Sequence, residues 1–131
     1  MTYPGVIVRY LSSYALLLLV LCEGLGLRAN ALLFLGALLL CSAWPCLLYG
    51  RRNGHYLAPT EALHVIAGMT LIDMVVQIRF GNVLMPGTAP APFVAASFFI
   101  VVGLHGALLT LVVTGVGRLL RRLGWVRPSP A

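Results

Sequence analysis

The chain has 131 residues, 60% of them apolar and 9% charged, and its nine basic side chains are all arginine, giving a formal net charge of +6. A water-soluble domain carries about 25% charged residues, so this composition excludes an ordinary soluble fold, whose surface would have to be apolar. The positive charge does not indicate nucleic acid, because the arginines are scattered beside apolar runs and form no compact basic face with stacking aromatics; they read as snorkelling anchors at a membrane surface.

A helix needs about 20 mostly apolar residues to cross the hydrocarbon core. The first run that qualifies is 10–27, between Arg9 and Arg28. It reads as a span and not as a cleaved signal, since Glu23 interrupts it and a second apolar run follows at once. That second span is predicted over 31–49, with Pro45 expected to kink it. The link between the two is so short that they should form an antiparallel hairpin. Residues 50–59 read as a polar loop with turn chemistry at Asn53-Gly54. Thr60 is the expected N-cap of a third helix over 61–78, with Glu61 at the positive end of its dipole. The segment 79–92, with three prolines and two glycines, is expected to be non-helical. A fourth span is predicted over 93–117. A basic tail, 118–131, follows, in which Arg118, Arg121 and Arg122 share one helical face and Trp125 is an interface anchor.

The predicted fold is therefore all-α, a single-domain transmembrane four-helix bundle. Seven arginines (Arg9, Arg51, Arg52, Arg118, Arg121, Arg122 and Arg127) fall on the side of the termini and two, Arg28 and Arg79, on the other. The positive-inside rule then places both termini in the cytoplasm. Arginine without lysine, with abundant Leu, Ala and Gly, suggests a GC-rich bacterial coding sequence and hence a bacterial inner membrane.

Ionisable groups at membrane depth are costly and need a reason. Asp73 lies near mid-bilayer, with Thr70 and Gln77 on the same helix face. It reads either as an ion, proton or substrate site or as structural glue bonding a neighbouring helix; the glue reading is preferred. Glu23 is expected to pair with Arg28 or Arg79 at the interface. Counting 1.5 Å per residue from the arginine-rich end puts Asp73, His105 and Glu23 at about 18, 20 and 21 Å, one common level. Azimuth argues against a triad, however. Ala96, Gly103, Gly106, Ala107, Thr110 and Thr114 form a small-residue stripe on the fourth helix suited to close packing, and His105 projects from the other side, toward a second contact face, lipid or a partner. Glu61 and His64, one turn apart, read as a local hydrogen-bonded pair. Cys22, Cys41 and Cys46 have no CxxC spacing, so apolar packing is expected and no metal site or cofactor is indicated.

There is no Ser/His/Asp arrangement, phosphate loop or acidic cluster for magnesium, so no enzyme is expected. In architecture the chain resembles small polytopic bacterial inner-membrane proteins that bind another membrane component, such as accessory subunits and immunity proteins against membrane-inserting toxins. That resemblance implies a partner in the bilayer, either another membrane protein or a second copy; because the soluble parts are too small for a standard interface of about 800 Å² per side, docking is expected on the His105 side of the fourth helix near Val101 and Val112. Four spans with an acidic residue, Glu23, in the first also resemble the small multidrug-resistance exporters. That likeness implies the alternative, a proton- or ion-coupled transporter or channel using Glu23, Asp73 and His105.

Overall fold

A computed structural model of the chain describes residues 1–26, 31–84 and 91–127; for 31, 79–84 and 91 it describes the backbone only. Four helices make up the architecture. They are α1 (Tyr3–Leu19), which continues through one π turn (Val20–Gly24), α2 (Ala31–Asn53), α3 (Pro59–Leu84) and α4 (Ala91–Arg122). All four are long and apolar enough to cross a membrane, and the chain is a multi-pass membrane protein with an all-α bundle fold.

Each helix buries a stripe of residues four apart, the spacing that keeps side chains on one face. Val6, Tyr10, Tyr14 and Leu18 form it on α1, Val65, Met69, Asp73 and Gln77 on α3, and His105, Leu109 and Val113 on α4. α2 buries a broader arc from Phe34 to Tyr49; α2 and α3 each pack on both α1 and α4. The order around the bundle is thus α1, α2, α4, α3. The expected hairpin of α1 and α2 is antiparallel and is clamped at one end. There the Met1 ammonium donates to Asn53 Oδ1 at 2.8 Å and Asn53 Nδ2 donates to the Met1 carbonyl at 2.7 Å.

Helix boundaries differ from expectation where local chemistry outweighs hydropathy. α1 begins seven residues before the expected Tyr10, with a proline in its first turn, where the missing N–H costs nothing. α2 is continuous through Pro45 and runs on to Asn53, so the expected loop starts only at Gly54, whose φ of 68° ends the helix. The N-cap of α3 is Ala58 and not Thr60. Glu61 Oε2 accepts the Ala58 N–H at 3.0 Å, one half of a capping box, and Pro59 takes the first helical position. Helix α3 also passes through 79–84, contrary to the non-helical expectation, because a single glycine is tolerated there and the first proline comes only at Pro86. Residues 85–90 lie outside the described part.

The expected tail is largely helix. α4 continues to Arg122 and stops in a Schellman motif, with Gly124 at φ 70°, the Trp125 N–H on the Leu120 carbonyl and the Gly124 N–H on the Arg121 carbonyl. The chain then folds back across the bundle end. The Arg127 N–H donates to the Gly54 carbonyl at 3.0 Å, Val126 is buried, and the Arg51 guanidinium lies 5.0 Å from the centre of the Trp125 ring, a cation–π distance.

Candidate functional site

Burial singles out four polar side chains among the described residues: Ser42, Asp73, Gln77 and His105. Ser42 returns its hydroxyl to the Leu39 carbonyl of its own helix. The other three lie on α3 and α4, and Asp73, 0% exposed, is their centre. Its two oxygens are bonded to different helices. Tyr14 on α1 donates its hydroxyl to Asp73 Oδ1 at 3.2 Å. His105 on α4 places Nδ1 2.7 Å from Asp73 Oδ2. An imidazolium facing a carboxylate, or an imidazole facing a carboxylic acid, has no net charge. Either arrangement spares the bundle an isolated charge at hydrocarbon depth.

His105 is therefore turned into the bundle, 8% exposed: of the orientations the sequence leaves open, the second contact face holds, and lipid or a partner does not. The same rotation corrects the packing stripe. With His105, Leu109 and Val113 inward, Ala96, Gly103, Ala107, Thr110 and Thr114 face outward. A β-carbon built on Gly103 would have open space within 4 Å, while one on Gly106 would meet the Thr70 side chain at 3.6 Å. So Gly106 packs between helices, and Gly103 and Ala107 do not. The physical reason is energetic rank. A buried carboxylate without a partner costs about 2.5 to 3.5 kcal/mol, more than a small-residue contact gains, so the polar pair sets the rotation of α4.

Thr70 does not join the cluster; its hydroxyl donates to the Ile66 carbonyl of its own helix at 2.8 Å. Gln77 is buried one turn beyond Asp73. Glu23 is exposed and lies in the π turn, whose i→i+5 bond runs from the Leu25 N–H to the Val20 carbonyl at 2.9 Å. It is not among the partners of Asp73. Its expected partner Arg28, and the side chain of Arg79, lie outside the described residues. Glu61 and His64 are not a pair: Glu61 caps α3, and His64 Nδ1 meets the Thr60 carbonyl at 2.6 Å with its ring against Tyr3. Arg51, Arg52, Arg118, Arg121 and Arg122 are all exposed at one end of the bundle. Cys41 and Cys46 are buried free thiols, and Cys22 is half-buried.

Two tyrosines were missed in the sequence. Tyr10 and Tyr14 are fully buried with ring centroids 5.3 Å apart. Their signal was available, since a tyrosine at i and another at i+4 in an apolar run place two hydroxyls on one face. They differ in their partners. The Tyr14 hydroxyl is bonded to Asp73, whereas the Tyr10 hydroxyl is buried without a hydrogen-bond partner among the described residues. Tyr10→Phe should therefore leave stability unchanged or raise it by up to about 1 kcal/mol, while Tyr14→Phe should lower it by about 0.6–1.7 kcal/mol, the range for intramembrane hydrogen bonds. Unfolding of the two variants in mixed micelles checks this, and equal losses would mean that the Tyr14–Asp73 bond contributes nothing.

The chain matches no protein family, no curated protein and no solved structure.

Proposed function

We propose that this chain is a non-enzymatic component of a bacterial inner membrane, with both termini in the cytoplasm, that binds another membrane protein through its lipid-facing surface, as accessory subunits and immunity proteins do. The observation that carries this reading is the division of labour on α4. Its inner face closes the Tyr14–Asp73–His105 cluster, which holds three helices together. Its outer face keeps an uncovered row of small residues, Gly103, Ala107, Thr110 and Thr114, on which a second helix can approach closely. The arginine surplus at the end carrying the termini supports the orientation.

The test is purification in mild detergent with mass analysis, comparing the parent chain with a Gly103→Leu/Ala107→Leu variant. A membrane protein that co-purifies with the parent and is lost from the variant, while the variant unfolds like the parent, is the expected result. A parent chain that purifies alone, or a partner retained by the variant, sinks the reading.

A second reading is favoured by one observation: a carboxylate, an imidazole and a phenol are hydrogen-bonded in the bundle interior, a set able to hold and pass a proton. On that reading the chain is a small proton- or ion-coupled transporter, and Asp73→Asn abolishes transport in a folded protein.

A further inference from the structure

Among the described residues, α1 and α2 leave a groove of about 410 Å³ on the outside of the bundle. Exposed Leu16 and Val20 on α1 and exposed Leu40 and Trp44 on α2 form its walls, and buried Cys41 lies at its floor. Ser13, which also lines it, has already given its hydroxyl to the Arg9 carbonyl at 2.6 Å. The groove therefore offers apolar surface and little else, and its occupant at hydrocarbon depth must be apolar there.

Helical spacing carries both walls to arginine at the same end. On α1, Arg9 stands four residues before Ser13 and seven before Leu16, so it shares their face; on α2, Arg51 follows Leu40 and Trp44 by eleven and seven, which again is one face. Because the helices are antiparallel, with Met1 bonded to Asn53, both arginines lie toward the terminus-bearing end. Arg9 is exposed and has no ion pair among the described residues, and Arg52 beside Arg51 has none either. The nearest acidic residue in sequence at this end, Glu61, is occupied by the Ala58 N–H. An apolar slot whose walls lead toward exposed arginines without ion pairs, Arg51 resting against the Trp125 ring, is complementary to one class of molecule, an amphiphile with a hydrocarbon chain and an anionic head.

We propose that the α1–α2 groove is a binding site for one anionic phospholipid, its acyl chain lying along Leu16, Val20, Leu40 and Trp44 and its phosphate held by Arg9 with help from Arg51 and Arg52. Basic residues between transmembrane helices select anionic head groups by charge, and an arginine near the surface contributes about fivefold in affinity. A zwitterionic phospholipid such as phosphatidylcholine fits the slot equally well, but its choline cation offsets the phosphate, so it gains less from the arginines.

Trp44 in the wall reports occupancy directly. The full chain carrying Trp125→Phe, so that Trp44 is its one tryptophan, is reconstituted in vesicles of phosphatidylcholine with a minority of phosphatidylglycerol. Brominated acyl chains, which quench tryptophan on contact, are placed on one lipid or the other. Quenching of Trp44 should occur at several-fold lower mole fraction of brominated phosphatidylglycerol than of brominated phosphatidylcholine, and unbrominated phosphatidylglycerol should reverse it. Arg9→Gln should reduce the preference about fivefold while quenching by the acyl chains persists. Equal quenching by the two lipids in the parent means a general lipid contact and overturns the proposal. Absence of quenching by either means that protein, a second copy or another chain, covers the groove, and overturns it too. A preference unchanged by Arg9→Gln removes the role of Arg9, and one also unchanged by Arg51→Gln/Arg52→Gln overturns the head-group site.

Discussion

Asp73→Leu is expected to destabilise the isolated chain by about 2–4 kcal/mol, whereas Asp73→Asn should cost less than about 1 kcal/mol. Leucine removes two hydrogen bonds at once, those from Tyr14 at 3.2 Å and His105 at 2.7 Å, each worth about 0.6–1.7 kcal/mol inside a membrane. It also strands a buried imidazole and a phenol, and an unsatisfied buried group adds its own desolvation penalty. Asparagine keeps the shape and both contacts: its Oδ1 still accepts from Tyr14, and its Nδ2 donates to His105 Nδ1 in the other tautomer. Unfolding of purified protein in mixed micelles, followed by loss of helical signal, measures both changes. If Asp73→Leu unfolds like the parent, the cluster does not hold the bundle together. An Asp73→Asn protein that is fully folded yet inactive in transport would instead promote the proton-coupled reading.

The bundle was legible in the sequence because hydropathy and length alone decide whether a segment can span a bilayer, and four segments passed. Helix ends were less legible, since they depend on single residues. Ala58 serves as a cap only because Glu61 reaches back to its N–H, and nothing in hydropathy distinguishes it from Thr60. Asp73 stood out for its depth, as any carboxylate there does. Its partners did not, for two different reasons. The orientation of His105 stays open in the sequence because the small residues of α4 offer a rival packing face, and only the energy of the polar pair decides between the two. Tyr14 is not legible as a partner because tyrosine in an apolar run counts as apolar, although its hydroxyl is what bonds Asp73. The surface groove was not legible at all: Leu16, Val20, Leu40 and Trp44 come together only once α1 and α2 are packed in register.

Glycine spacing illustrates the same limit and supplies the second large effect. Gly103 and Gly117 both lie on α4 and look alike in the sequence, but a β-carbon at Gly103 meets nothing within 4 Å, whereas one at Gly117 would fall 2.6 Å from Cδ1 and Cε1 of Tyr56. That ring cannot step aside easily. Tyr56 is 4% exposed and donates its hydroxyl to the Val113 carbonyl one turn earlier on α4 at 2.6 Å. Burial raises its phenol above the ordinary tyrosine range, so it stays protonated and bonded across the accessible pH range. Gly117→Ala should therefore destabilise the chain by about 1–3 kcal/mol through overpacking. Gly103→Ala should be neutral or slightly stabilising, because alanine favours helix over glycine. A double-mutant cycle identifies the cause. In a Tyr56→Ala background the ring is gone, and Gly117→Ala should then cost nothing beyond the parent's uncertainty. If the penalty persists there, Tyr56 is not what crowds Gly117, and the close contact between the loop and α4 does not fix the position of that helix end.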